Sequence, residues 1–287
     1  MTFAIRQINL QFSNKEGEIL DLKGLRCTAV INNPGGSAAF GKLHLQVYGM
    51  TLEHMNAYSS TGSNLVFVQQ NRVTVSAGNQ GSALSQIFSG TIISSYIDFS
   101  SIPDVSFVVD AVSGYYQQGV QIAPLQVNGS ANVEDLIKSI AESNRFAFRN
   151  SLAPNNAHFV VQNQYISGSA MEQMSTLANL AKFPMIVEND TISIWGNEKV
   201  RDLVQINVNP QTGLIGYPSY WAAGFMIKQE FSPENLIGRI VNLKSVIPKS
   251  NGPWPIQMAT HELSTLTPNG SWFTTSRLSP QPYVAKN

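Results

Sequence analysis

The sequence predicts a mainly β protein with an α+β segment in its middle. Both ends of the chain consist of short apolar or alternating runs of strand length, separated by turns rich in Gly, Asn and Pro. The middle carries two runs with the 3.6-residue apolar spacing of helices. The 287 residues are enough for two or three domains. We therefore expect a β-barrel-like domain at residues 1–112, an α+β domain at 113–202 and a second β-barrel-like domain at 203–287.

The first segment is predicted to contain strands and one short helix. Thr51 can cap this helix, and Leu52 and Met55 are expected to face inward. The predicted strands cover residues 3–12, 25–31, 43–48, 65–68, 72–76, 87–99 and 105–112.

The middle segment contains an internal duplication. Residues 127–149 and 166–187 each read as strand, Gly-Ser turn, helix and strand. The helical faces predicted to be buried include Leu136, Ile140, Met174 and Ala178. A Gly-Ser pair before a helix can bind phosphate through backbone N–H groups, but no Lys or Arg follows at the required place, so we expect Ser130 and Ser169 to be helix caps.

The last segment returns to strands, predicted at residues 203–208, 214–217, 223–231, 236–245, 254–263 and 271–277. Between the last two lies the sequence Thr267-Pro-Asn-Gly270. Pro presets one turn dihedral and Asn-Gly accepts positive φ, so a tight hairpin is expected here.

Charge is scarce and balanced. The chain has 18 basic and 18 acidic residues, and charged residues make up only 13%, which gives no global field for nucleic acid or an anionic membrane. Residues 56–97 contain only Arg72 as a charged residue, and 203–227 contain none. Such stretches are either interior strands with polar loops or surfaces covered by a neighbour. On the second interpretation, the predicted subunit interface contains Tyr58, Tyr217, Tyr220 and Trp221, whose residue types are enriched at interface centres.

A search for chemistry predicts no catalytic, cofactor-binding or metal site. Cys27 is the only cysteine, and the four His residues lack metal-ligand spacing. The carboxylate pair Glu134-Asp135 is expected in the first turn of a helix, where it meets the helix dipole favourably, and Glu188 and Asp190 are expected beside a hairpin turn. We therefore predict a protein that is not an enzyme. The N-terminus has no secretory pattern and no apolar run approaches membrane-spanning length, so synthesis in a bacterial cytoplasm without membrane insertion is expected.

Three parts of the chain resemble the baseplate hub proteins of contractile-tailed bacteriophages. The first is Tyr48-Gly-Met-Thr-Leu52, a strand leading to a short helix, and the second is the helix and strand pattern from Tyr165 to Ile194. The third covers residues 235–277, where an Ile-Gly strand, an Asn-Gly-x-Trp turn, a His-x-Leu strand and a Pro-x-Gly-x-Trp hairpin follow one another.

The resemblance implies a structural role in the virion. It implies a homotrimer whose two tube-like domains per subunit match the sixfold tail tube above and the threefold central spike below. Implied partners are the tail-tube protein, the central spike protein, the tape-measure protein and the baseplate wedge proteins, with DNA passing through without specific binding.

Two other interpretations remain open. One is a carbohydrate-binding or carbohydrate-active β protein that uses Trp195, Trp221, Trp254 and Trp272 as a stacking platform, with scattered carboxylates for chemistry. The other is the hub part of a type VI secretion spike.

Overall fold

The computed structural model describes residues 5–35, 40–60, 70–151, 159–196 and 199–279. The predicted strand at 65–68 lies outside these residues. In the described residues, the first β region contains strands and one helix, α1 (Leu52–Tyr58), between the fourth and fifth strands. The strands are β1 (Arg6–Ser13), β2 (Ile19–Lys23), β3 (Cys27–Asn33), β4 (Lys42–Tyr48), β5 (Arg72–Asn79), β6 (Ser85–Asp98) and β7 (Ser106–Val112).

The α+β module follows. Its helices are α2 (Tyr115–Gly119), α3 (Val133–Ser143) and α4 (Ala170–Ala181). Its strands are β8 (Leu125–Gln126), β9 (Ser130–Asn132), β10 (Ala147–Ser151), β11 (Val160–Gln162), β12 (Tyr165–Ile166), β13 (Met185–Glu188) and β14 (Thr191–Trp195). No helix in the described ranges has both the length and the apolar character needed to cross a membrane.

The second β region completes the described chain. It consists of β15 (Gln205–Val208), β16 (Leu214–Trp221), β17 (Gly224–Glu230), β18 (Ile240–Leu243), β19 (Gly252–Thr265) and β20 (Trp272–Leu278), with a 3-10 turn at Pro248–Ser250. The fold is therefore mainly β with an α+β middle, as the sequence predicts. The turn between β19 and β20 has Asn269 at φ 54°, and Gly270 N–H donates to the Thr267 carbonyl.

The two β regions share one strand order. The first reads β3-β4-β7-β6-β5-β1, with β2 added at the end, and the second reads β16-β17-β20-β19-β18-β15. One pairing differs in direction, since β1 and β5 are antiparallel whereas β15 and β18 are parallel. β3 also pairs with β19, so the two regions form a continuous 13-stranded sheet.

The long strands β6 and β19 occupy equivalent places and match in detail. Each is 14 residues long. Each carries a register shift one residue beyond the last residue paired with β5 or β18: after Ile92 against β7, and after Ile256 against β20. A bulge of this kind bends a strand, which lets both sheets curl around their cores.

The cores are separate but share one hairpin. The first core is built around Phe12, Phe107 and Tyr58, and it also takes in Leu263 and Trp272 from the second region. In α1 the prediction was half right: Met55 is buried, but Leu52 is 55% exposed. Thr51 does cap the helix by accepting a hydrogen bond from His54 N–H. The second core is smaller and consists of Val208, Leu214, Phe225, Ile227, Val241, Leu243, Ile256, Ala259 and Leu278.

The duplicated units of the α+β module are confirmed as turn, helix and strand. Helices α3 and α4 pack in one core over a sheet of order β10-β14-β13. Ser169 caps α4 in a reciprocal capping box with Glu172, but Ser130 lies in β9 and the cap of α3 is Asn132. Ile140, Met174 and Ala178 are buried as expected, whereas Leu136 is only partly buried, because Val133 and Ile137 take the innermost positions of α3. Glu134 and Asp135 lie in the first turn of α3.

Candidate assembly surface

The edge strand β16 carries the main exposed aromatic surface of the charge-free segment 203–227. β16 pairs with β17, and no other described strand pairs with it. Tyr217 is 72% exposed and Tyr220 is 67% exposed. Large exposed aromatic rings on an unpaired sheet edge are typical of a surface that another chain covers.

The rings on this edge are held by the second core beneath them. The Tyr220 ring lies 5.0 Å from that of Phe225, which in turn contacts Trp254 at 5.0 Å between ring centroids. The Trp221 indole N–H donates to the Leu278 carbonyl over 2.9 Å, and the Arg277 guanidinium lies over the ring. The rings of Tyr220 and Trp221 are therefore held in place within the single chain.

Tyr58, the fourth residue of the predicted interface, lies elsewhere. It is 7% exposed and packs against Phe12, with 5.3 Å between the ring centroids. Burial, and to a smaller extent the Glu18 carboxylate, raises the pKa of its phenol. Tyr58 thus belongs to the first core and offers little surface to a partner, so we drop it from the predicted interface.

The neutral stretch 56–97 contains both interior strand residues and an exposed aromatic residue. Val73, Val75 and Phe88 are core residues of the first β region, which explains the lack of charge in much of β5 and β6. Tyr96, near the end of β6, is 51% exposed. Tyr96 is not among the interface residues predicted from the sequence, although its place in a neutral stretch is a signal that could have identified it.

The residues considered for chemistry are engaged in structural contacts. Among the described residues, no group of three or more His, Cys, Asp or Glu side chains could hold a metal ion. His44 bonds to Asp110 over 2.8 Å on the exposed face of the sheet. His261 is buried at the contact between the two β regions, where desolvation lowers its pKa to about 4, and its Nδ1 lies 2.9 Å from Thr274 Oγ1. His158 lies outside the described residues.

The tryptophans do not form one platform. Trp195 and Trp272 are buried, and the half-buried Trp254 donates its indole N–H to the Ser250 carbonyl. Together with Trp221, whose indole is also bonded to the backbone, these rings belong to packing contacts at four different places in the described fold.

Glu188 and Asp190 flank the β13–β14 turn, as predicted, and each is bound by an arginine. Arg201 forms a buried ion pair with Glu188 and also donates to Ser193 Oγ and to the Ile237 carbonyl. Arg72, from β5, forms an ion pair with Asp190. The Arg72–Asp190 pair joins the α+β module to the first β region, and the Arg201 hydrogen bond to the Ile237 carbonyl joins it to the second. Both carboxylates therefore have a structural explanation.

A polar cleft of about 470 Å³ lies where the module meets the first β region. It is lined by Arg72, Thr91, Gln117, Arg145 and Asp190, among others. The cleft is open and lacks both a nucleophile–base pair and a metal-ligand set. It therefore gives no support to a particular reaction.

The sequence and the fold both match known tail proteins. The family model described as baseplate hub gp41 matches residues 37–269. The tail protein from Neisseria meningitidis MC58 aligns with a TM-score of 0.62 at 9% identity, covering 94% of this chain and 96% of that one. The 43 kDa tail protein of prophage MuSo2 from Shewanella oneidensis aligns with a TM-score of 0.60 at 9% identity, covering 97% and 99%.

A third similar structure comes from a secretion system. The E. coli c3393 protein, described as a component of the type VI secretion system with structural similarity to the T4 bacteriophage tail proteins gp27 and gp5, aligns with a TM-score of 0.57 at 12% identity. The alignment covers 95% of this chain and 76% of that one. No curated protein sequence matches. Because the family model covers well over half of the residues, the chain belongs to the baseplate hub gp41 family.

Proposed function

We propose that this protein is the homotrimeric hub of a contractile phage baseplate, joining a sixfold tail tube to a threefold central spike. The family gives the general role, a structural component of the phage baseplate. The trimer, the symmetry match and the position in the tail are our proposal.

The observation that carries the proposal is the repeated strand order of the two β regions. Three copies of a chain with two equivalent regions present six similar units, which is what a sixfold tube requires above a threefold spike. The domain division at 1–112, 113–202 and 203–287 follows the same logic, with one β region on each side of the α+β module. Since β19 and β20 serve both cores, the two regions are held at a fixed angle within each subunit.

The proposed partners follow from this position. The tail-tube protein lies above the ring and the central spike protein below it, while baseplate wedge proteins surround it. The tape-measure protein and then the genome pass through the channel. A chain with balanced, sparse charge fits this passage, because a dense Lys and Arg lining would bind phosphates and hold the DNA. We place assembly in the host bacterial cytoplasm and the mature protein in the virion tail.

We propose a role without catalysis. Glu188 and Asp190 are ion-paired with arginines, and the tryptophans are engaged in packing. Both features disfavour the carbohydrate-binding alternative, which needs free carboxylates at a cleft and exposed, adjacent rings.

A second candidate is the hub part of a type VI secretion spike. The observation in its favour is the alignment of 95% of this chain with the E. coli secretion-system component. The proposed trimer is common to both candidates, so the partner decides between them: a contractile tail tube and a separate spike protein for the phage hub, a secretion tube for the other.

The experiment is a mass measurement of the purified full chain over a range of protein concentrations, followed by electron microscopy of the mixture with a tail-tube protein and a spike protein. We expect trimers at high concentration and rings that cap tube ends. A protein that stays monomeric at all concentrations and binds neither partner contradicts the proposal. Glycan hydrolysis abolished by Glu188→Gln or Asp190→Asn would support the enzyme instead.

A further inference from the structure

The β3–β19 strand pairing joins the two β regions within one chain, and the equivalent pairing between the corresponding strands of the other two edges is not made among the described residues of that chain. β3, in the first β region, pairs with residues 259–265 of β19 in the second. By strand order, β16 is the equivalent of β3 and β6 is the equivalent of β19. The equivalent contact would join β16 to the second half of β6. In the joint sheet six strands separate these two, at about 4.8 Å per strand.

We propose that β16 of one copy pairs in antiparallel fashion with residues 96–98 of β6 in a neighbouring copy, repeating between chains the β3–β19 contact within the chain. This inference rests on the proposed trimer and assigns its interface. Around the proposed trimer, the β3–β19 contact within a subunit then alternates with the β16–β6 contact between subunits.

The equivalence of β6 and β19 is fixed by their other partners. On one side β6 pairs with β7, and β19 pairs with β20, with the bulges already noted at matching points. On the other side β5 covers β6 as far as Thr91, and β18 covers β19 as far as Pro255. In β19 the rest of that side is taken by β3. Aligning the bulges places Ile97 of β6 at the position of His261 in β19.

Within the part of the chain that the structure describes, no strand covers the corresponding side of β6 beyond Ser95. Ser95 uses its backbone N–H and carbonyl on this side to bond Ser60. Since backbone groups two residues apart point to the same side of a strand, the N–H and carbonyl of Ile97 face that side as well. Among the described residues, no strand pairs with Tyr96, Ile97 or Asp98 on this side.

The register follows from the equivalent strands. Within the chain, His261 lies opposite Ile31. Ile31 lies opposite Leu43 of β4, and its equivalent Tyr220 lies opposite Phe225 of β17. The predicted pairs between copies are therefore Ile97 with Tyr220, Tyr96 with Trp221, and Asp98 with Ser219.

The two edges suit each other chemically. Tyr96 and Tyr220 are large rings left half exposed or more in the single chain, and pairing removes both from water. In this register Tyr96 lies opposite Trp221 on one face of the sheet and Tyr220 lies opposite Ile97 on the other, so each exposed ring gains an aromatic or β-branched cross-strand neighbour. β16 carries no charge, so it places no like charge opposite the Asp98 carboxylate.

The test is a disulfide between copies, using Asp98→Cys with Ser219→Cys. If Ile97 and Tyr220 form a hydrogen-bonded pair, Asp98 and Ser219 form the adjacent non-hydrogen-bonded pair, in which Cα atoms are about 4.5 Å apart, within disulfide range. The native Cys27 is buried and stays. A positive control is Val30→Cys with Glu262→Cys, the equivalent pair within the chain. A control out of register is Ser94→Cys with Ser219→Cys, displaced by about 13 Å along the strand.

We expect oxidation to convert most of the Asp98→Cys/Ser219→Cys protein into covalent trimers, at least 10-fold more than the control out of register. The positive control should close within single chains. A second measurement uses the native sequence: trimer formation should slow amide exchange at Ile97 at least 10-fold. Trimers with neither the cross-link nor slower exchange at Ile97 would overturn this inference while leaving the proposed hub intact. A chain that stays monomeric would remove both.

Discussion

The two β regions share one strand order but differ in whether their first edge strand is paired. In the first region the strand β3 is covered by β19, and its residue Ile31 is fully buried. In the second region the equivalent strand β16 is uncovered among the described residues, and its residue Tyr220 is 67% exposed. Among the described residues, the same topology thus gives one edge strand, β3, that is paired on both sides and one, β16, that is paired on one side only. This difference indicates that an arrangement used once within the chain can be repeated between chains.

The regions also differ in how their cores are filled. The first has aromatic rings at its centre and takes Leu263 and Trp272 from the last hairpin. The second core is smaller and mostly aliphatic, with the buried Phe225 among its members and Trp254 packed against it. The second region therefore depends on its strand contact with the first for part of its stability.

The largest expected effect comes from the first core. Phe12→Ala removes a fully buried ring that contacts Tyr58 and Phe107, and we expect a loss of about 4 kcal/mol in the free energy of unfolding. Leu243→Ala in the second core should cost about 3 kcal/mol. Urea unfolding followed by tryptophan fluorescence measures both. Because one sheet and the β19–β20 hairpin join the regions, both variants should shift a single transition. Two separate transitions would show that the regions unfold independently.

The second prediction concerns pH at the contact between the regions. Burial lowers the pKa of His261 from its ordinary 6.5 to about 4, so the unfolded chain binds a proton before the folded one. The contribution of the buried neutral imidazole to the free energy of unfolding is fully present above pH 6.5. It is lost as the pH falls towards 4, and the loss amounts to about 3 kcal/mol.

Urea unfolding at several pH values tests this. His261→Gln should flatten the decline between pH 6.5 and 4, while His44→Gln, which removes an exposed imidazole, should keep it. A decline of equal size in the His261→Gln protein would mean that other groups cause it.

Strand positions were largely predictable from the sequence, since alternation and turn residues are local signals. β2 was missed because its sequence, Ile19-Leu-Asp-Leu-Lys23, forms an outer strand with no fully buried side chain. The helix α2 was missed because Tyr115-Tyr-Gln-Gln-Gly119 has no apolar spacing and no buried residue.

The strand order and the β3–β19 contact were beyond local reasoning, because strand pairing joins residues from separate parts of the chain, and those of β3 and β19 are more than 200 positions apart. The same limit explains why Tyr58 was predicted at the interface although it is buried. Its neutral surroundings suggested a surface, whereas its actual neighbour Phe12 comes from a distant strand. Tyr217, Tyr220 and Trp221 remain predicted interface residues.

A third, smaller effect compares two glycines with the same backbone conformation. Gly17 in the first region has φ 86° with open space around it, and Gly238 in the second has φ 85°. A Cβ on Gly238 would lie 2.9 Å from Trp195 Cζ2 and 3.0 Å from Arg201 Cβ.

Gly17→Ala should cost only the left-handed backbone strain, about 1 kcal/mol. Gly238→Ala adds overpacking against Trp195 and should cost about 2 kcal/mol more. The two melting curves measure the difference. Equal losses would mean that Trp195 and Arg201 can move aside, and that the joint between the module and the second region is loosely packed.

The smallest effect on the stability of the single chain is expected at the exposed edge. Tyr220→Asp loses mainly the ring contact with Phe225, about 1 kcal/mol, whereas Ile31→Asp at the equivalent covered position buries a charge and should cost several kcal/mol. Assembly should rank the two variants differently. Tyr220→Asp should remain folded but monomeric at concentrations where the native protein is trimeric, because in the proposed register its carboxylate lies opposite Ile97 of the neighbouring copy and would lose water without gaining a partner. Tyr165→Asp, at a 69% exposed tyrosine in the α+β module, is the control and should still form trimers. If Tyr220→Asp assembles as well as Tyr165→Asp, then β16 is not the edge that joins the subunits, and the repeated strand order must be used in another way.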